Sequence, residues 1–204
     1  MHISEGVLSG SVLISGGVLA AAGTAVGLKK LDYDRIAHVS MLSASFFIAS
    51  LIHVPVGPSN VHLILNGIVG LILGWAAFPA ILVALLLQAV LFQFGGITSL
   101  GVNTIIMALP SVLSYYFFRP MILKKPAIAI IGSFACGFLS VFFSAVLVGI
   151  ALMTTNENFL EISGLVVLAH FPVMIIEGII TAFFVVFIKR VQPSMLPGFS
   201  PQGD

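Results

Sequence analysis

The sequence predicts an all-α integral membrane protein with about seven transmembrane helices, its N-terminus outside and its C-terminus cytoplasmic. Three observations lead there. Of 204 residues, 59% are hydrophobic and 7% charged, with a mean hydropathy of +1.20; a soluble domain carries roughly a quarter charged residues. Uncharged stretches of about 20 residues recur, the length a helix needs to cross a bilayer. The basic residues fall into three clusters: Lys29, Lys30 and Arg35; Arg119, Lys124 and Lys125; Lys189 and Arg190. Cytoplasmic loops concentrate Lys and Arg, so all three clusters are placed inside.

Each span follows from that parity. One span, 6–28, precedes the first cluster, which puts the N-terminus outside. Residues 36–118 contain no Lys or Arg, and both ends of this stretch are cytoplasmic. An even number of spans is required, and four of about 20 residues fit: 37–54, 61–77, 80–95 and 102–118. The breaks are HVPVGPSN (53–60), FPA (78–80) and GGITSLG (95–101), where Pro and Gly interrupt the pattern. The last two spans, 126–153 and 163–188, flank TTNENFLEIS (154–163), which holds acids and no base, as an outer loop should. Residues 1–204 form a single domain without an internal repeat, and the tail QPSMLPGFSPQGD is expected to be unstructured. Gly23 with Gly27 and Gly70 with Gly74 have the G-x-x-x-G spacing of closely packed membrane helices.

Several functions are disfavoured. A net charge of +1 gives no basis for binding nucleic acid. Cys136 is the single cysteine, so no internal disulfide can form and a buried thiol is expected. The start carries Glu5 and no Lys or Arg, unlike a secretory signal, so the first helix is expected to be retained. His2 is too large a second residue for ready removal of Met1, which leaves a free α-amine. No G-x-x-x-x-G-K-[S/T] occurs, so ATP hydrolysis is not expected in this chain. Ser59 and His62 could make a nucleophile–base pair, but no nucleophile motif surrounds Ser59.

The opening MHISEG has its own chemistry. The α-amine of Met1 and the amide nitrogen of His2 can close a five-membered ring on a metal, and that amide with His2 Nδ1 a six-membered one. Planar nitrogen fields of this kind suit Ni(II) and Cu(II), and affinity should rise with pH because the donors must lose protons. A further ligand should come from HVPVGPSNVH on the same face, which offers His62 or His53. If His62 opens a helix, Asn66 follows one turn later and could orient it. From spacing alone, a frayed terminal histidine and interfacial imidazoles remain the plain alternative.

MHISEG, PVGPSNVHLILNG, FQFGGITSLGVNTIIMALP (92–110) and HFPVMIIEGIITAFFVVFIKRVQP (170–193) together resemble the CbiM/NikM family over nearly the whole chain. The resemblance implies the substrate-capture component of an energy-coupling-factor (ECF) ABC importer for cobalt or nickel, in a cobalamin-biosynthesis setting. It implies Met1, His2 and His62 as metal ligands, with Ser59, Asn60 and Asn66 nearby and His53 a weaker alternative, since relatives often carry Asn there. Implied partners are a transmembrane coupling subunit, cytoplasmic ATPases and a small membrane accessory subunit, in the lipid of the inner membrane. The loop GPSNVHL replaces a glycine-rich stretch of relatives, which leaves nickel against cobalt open with a ligand-field lean to nickel.

His170 and Glu177 lie nearly two turns apart on the last span, about 10 Å along one face. A structural contact holding that helix is the preferred role. A proton relay in a stand-alone metal carrier is the alternative. Gln88 and Gln93 are expected to bond between helices. The segment 95–103, outside by parity, is either a lid over the metal site or an ordinary turn.

Overall fold

The structure, a computed structural model, describes residues 2–56 and 59–196; Met1 and the side chains of residues 53–61 lie outside that description. The described residues form eight α-helices and one short hairpin. In order these are α1 (Gly10–Lys29), α2 (Ile36–Ala49), β1 (His53–Val56), β2 (Ser59–His62), α3 (Asn66–Leu73), α4 (Ala77–Phe92), α5 (Leu100–Ile122), α6 (Pro126–Thr155), α7 (Leu160–Ala169) and α8 (Phe171–Val191). By length and hydropathy, five helical stretches can cross a membrane: Gly10–Lys29, Asn66–Phe92, Leu100–Ile122, Pro126–Thr155 and Glu157–Val191. Their outward residues are apolar, with Ile14, Phe117 and Phe183 well exposed, as lipid contact requires.

Two expected spans and one expected break are corrected by the fold. The span 37–54 becomes α2, which ends at Ala49 and at 14 residues is only about 21 Å long; Pro55 then sits in β1, where its missing N–H excludes a helix interior. The span 61–77 is helical only from Asn66 onward. His62 closes β2, and the helix starts at Asn66.

The third correction concerns where the chain reverses. Residues 66–92 pass for one helix by composition, yet Gly74 has φ +54° and breaks it. A Cβ at Gly70 would collide with Ser111, and one at Gly74 would meet the Tyr115 ring at 3.4 Å, so α3 runs parallel to α5. By contrast α4 runs antiparallel to α5. Trp75 Nε1–H at its start donates to Tyr116 Oη (2.9 Å), while Gly95 just past its end abuts Asn103. The reversal therefore falls at Gly74, and FPA (78–80) lies inside α4. Its driving force is contact: Gly70 lets two backbones meet, and Gly74 takes a conformation costly for other residues. As a result α3 is a half-length helix of about 12 Å, reached by extended chain.

The remaining helices follow the expectation closely. Gly23 and Gly27 receive Phe78 and Pro79 of α4 and the Trp75 carbonyl of the turn before it, and Gly137 of α6 receives Glu177 and Thr181 of α8. The last span is kinked at His170 between α7 and α8, with Pro172 in the first turn of α8. Cys136 is buried, with Sγ 3.7 Å from the Gly67 carbonyl.

Candidate metal site

The N-terminal strand, the end of β2 and the loop after α4 converge. His2 and His62 are each 2% exposed. Their rings stack with centroids 4.6 Å apart and planes 28° apart, and His2 Nδ1 lies 3.1 Å from His62 Nε2. His62 Nδ1–H donates to the Leu63 carbonyl (2.7 Å). A carbonyl can only accept, so the neutral ring carries its proton on Nδ1 and turns the Nε2 lone pair toward His2. On its other side, His2 Nε2 lies 2.6 Å from Gln88 Oε1 in α4.

Backbone bonds hold the strand in place. The Ile3 N–H donates to Asn103 Oδ1 (2.9 Å), and Asn103 Nδ2–H donates to the Ile3 carbonyl (3.1 Å) and to Ser99 Oγ (3.1 Å). One side-chain amide thus does for Ile3 what a neighbouring strand would do. Gly95 has φ +76°, and a Cβ there would fall 2.8 Å from Asn103 Nδ2 and 3.4 Å from His2 Cβ. Further out, Glu5 Oε1 accepts from Thr98 N–H (3.0 Å) and Thr98 Oγ1–H (3.3 Å). The Thr98 amide holds the Glu5 carboxyl below its usual range. Segment 95–103 therefore packs against residues 2–5.

Other expected site residues are elsewhere or outside the description. Met1 is outside it, as are the side chains of Ser59, Asn60 and His53; in the hairpin register His53 pairs with His62. Asn66 is corrected. Its Nδ2–H donates to Ser144 Oγ (2.9 Å) and the Ser140 carbonyl (3.3 Å) on α6, because β2 is extended and no helical turn joins it to His62. Gln93, expected to bond between helices, sits in the left-handed region past the end of α4. Glu177 Oε1 accepts from the Ile64 and Leu65 N–H groups (2.5 and 2.8 Å), which ties α8 to the entrance of α3. That is the structural role preferred for it. His170 Nδ1–H donates to the Val166 carbonyl (2.6 Å) at the kink.

Among the described residues no three His, Cys, Asp or Glu side chains cluster to hold an ion. Among the described residues two imidazole nitrogens, His2 Nδ1 and His62 Nε2, face each other here. Asn103 and the outer role of Gln88 were missed in the sequence. Each partner lies some 85 to 100 positions away, and nothing in local spacing marks it.

Residues 2–195 match the family model CbiM, described as "Cobalt uptake substrate-specific transmembrane region". The chain belongs to the CbiM family. It is 41% identical over 199 residues, covering 96% of this chain and 97% of the relative, to a Haemophilus influenzae protein named "Putative metal transport protein". It is 25% identical over 212 residues to the Sorangium cellulosum cobalt transport protein CbiM, covering 96% of this chain and 94% of the relative. A crystal structure described as that of a transition metal transporter superposes with a TM-score of 0.82 at 25% identity, covering 94% of this chain and 93% of that one. This CbiM chain is thus a multi-pass membrane component of cobalt or nickel transport, with the inner membrane its expected location.

Proposed function

We propose that the chain is the substrate-capture subunit of an ECF-type importer for nickel or cobalt, taking the ion at the outer face. The crossings are α1, α2, the extended segment with α3, then α4, α5, α6 and finally α7 with α8. This arrangement keeps all three basic clusters on one side and sets the N-terminus outside. The transported ion is held by the α-amine of Met1, the amide nitrogen and Nδ1 of His2, and Nε2 of His62.

One observation carries this reading: His2 Nδ1 and His62 Nε2 face each other at 3.1 Å. Imidazole–metal bonds of about 2.0–2.1 Å at right angles set adjacent nitrogens about 2.9 Å apart. The spacing fits two neighbouring corners of a planar site before any ion arrives. Planar nitrogen coordination favours Ni(II) on ligand-field grounds. Energy for uphill uptake then comes from partner ATPases through a transmembrane coupling subunit, with a small accessory subunit completing the assembly.

Calorimetric titration with Ni(II) and Co(II) tests the proposal on protein that starts at Met1. One added N-terminal residue converts the amine donor to an amide, so binding should vanish. His2→Ala and His62→Ala should abolish it too, and His53→Ala should be mild. Equal affinity in the extended protein refutes the chelate. The competing reading is a proton-coupled carrier. It is supported by buried polar atoms of His170 (Nε2) and Glu177 (Oε2) that have no hydrogen-bond partner among the described residues, and it predicts uptake into vesicles lacking any ATPase.

A further inference from the structure

We infer that Gln88 is a positioning residue for the metal site, selecting the His2 tautomer whose Nδ1 lone pair points at His62. The inference rests on the chelate reading above and adds to it a residue on α4.

Ser50 Oγ–H donates to the Phe47 carbonyl (2.8 Å). A carbonyl has no proton to give, so this hydroxyl spends its only proton there and can meet Gln88 only as an acceptor. The Gln88 side chain bonds Ser50 Oγ through its Nε2, and this fixes which way round the amide lies. Its oxygen must face His2, 2.6 Å from Nε2. That ring nitrogen therefore carries the proton, and Nδ1 is left bare in the neutral ring. His62 reaches the matching state from the opposite end, with its proton committed to the Leu63 carbonyl.

Two lone pairs thus converge across 3.1 Å, an arrangement that repels unless a cation occupies the gap. The relay is sealed: Gln88 and Ser50 are both 0% exposed, so water cannot readily substitute for the amide oxygen. The same glutamine also fastens the end of α2, three residues before the hairpin that carries His62, to the helix beside the N-terminus. Metal-bound histidines depend on such partners of the second ring nitrogen, whose loss weakens binding by roughly 10- to 100-fold.

The test uses the full chain beginning at Met1, with Gln88→Leu, Gln88→Glu and His2→Ala. Two readouts are taken: Ni(II) titration, and ring-nitrogen NMR of histidine-labelled, metal-free protein. In the unaltered chain His2 should show a protonated Nε2 and a bare Nδ1. Gln88→Leu should mix the two tautomers and raise Kd by about 10- to 100-fold. Gln88→Glu keeps an acceptor oxygen and should restore both the tautomer and most of the affinity. The inference is overturned if Gln88→Leu leaves tautomer and Kd unchanged, or if both Gln88 variants lose binding alike, which marks a packing role. Should the leucine variant not fold, a lost Nε2–H tautomer in Gln88→Glu overturns it on its own. Nickel binding by His2→Ala at unaltered affinity sinks the underlying chelate, whereas loss there beside an indifferent Gln88→Leu sinks this inference alone.

Discussion

Replacing Asn103 by Ala isolates the clamp on the N-terminal strand from the ligands themselves. The amide is 2% exposed and makes three bonds: from Ile3 N–H, to the Ile3 carbonyl and to Ser99 Oγ. Its loss strands both backbone groups of Ile3, which is 0% exposed. An unsatisfied buried polar group costs about 1–3 kcal/mol. For two groups that is about 2–6 kcal/mol in total, with about 4 kcal/mol at the middle of the range. That penalty falls on the docked strand, and metal affinity drops by the fraction of molecules that stay docked. At 1.4 kcal/mol per decade, a penalty of about 4 kcal/mol lowers affinity by at most roughly 700-fold. The assay is Ni(II) calorimetry on native-start protein, paired with thermal unfolding. Asn103→Asp keeps the acceptor for Ile3 N–H and should fall between. Undiminished affinity in Asn103→Ala, at unchanged melting temperature, would show that the strand is held by something else.

Two further outcomes are expected. Glu177→Leu removes the acceptor for Ile64 and Leu65 N–H and should destabilise the protein by about 2–4 kcal/mol, while Glu177→Gln retains an acceptor oxygen and much of the stability; thermal unfolding in detergent compares them. The Glu5 carboxyl is held below its usual value of 4.5, chiefly by the Thr98 amide. Its contribution to closing the 95–103 loop is therefore present above pH 4.5 and lost as pH falls through the lowered value. Hydrogen exchange at Thr98 should accelerate in that acid window, and Glu5→Gln should remove the step.

Much of this was legible in the residues, and the gaps have physical causes. The basic clusters required a reversal between residues 36 and 118, and the chain does reverse, but charge parity cannot say where. FPA looked like the divider because Pro and Gly usually punctuate, yet Pro79 is tolerated in the first turn of α4 and Gly74 breaks the helix because α5 packs there. His2 and His62 stood out because their chemistry is local to MHISEG and to one imidazole. Asn66 was misplaced by assuming that an apolar run is helical from its first residue, whereas LIL (63–65) lies outside any helix, with Leu65 in the left-handed region at φ +56° and the Ile64 and Leu65 amides held by a carboxylate more than a hundred positions later. Gln88 read as a generic bond between helices. Only the fold shows that one of its partners is the second residue of the chain.

The half-length α3 also constrains how the molecule is built. Open backbone at membrane depth is tolerated only when protein surrounds it, and the amides of Ile64 and Leu65 find their acceptor on the last long helix. A nascent chain emerging as far as α4 therefore has no acceptor yet for this stretch and cannot release it into lipid as a finished crossing. Ile64 and Leu65 therefore settle late, once α8 has been synthesised, and the candidate site that includes His62 is among the last parts of the protein to come into being.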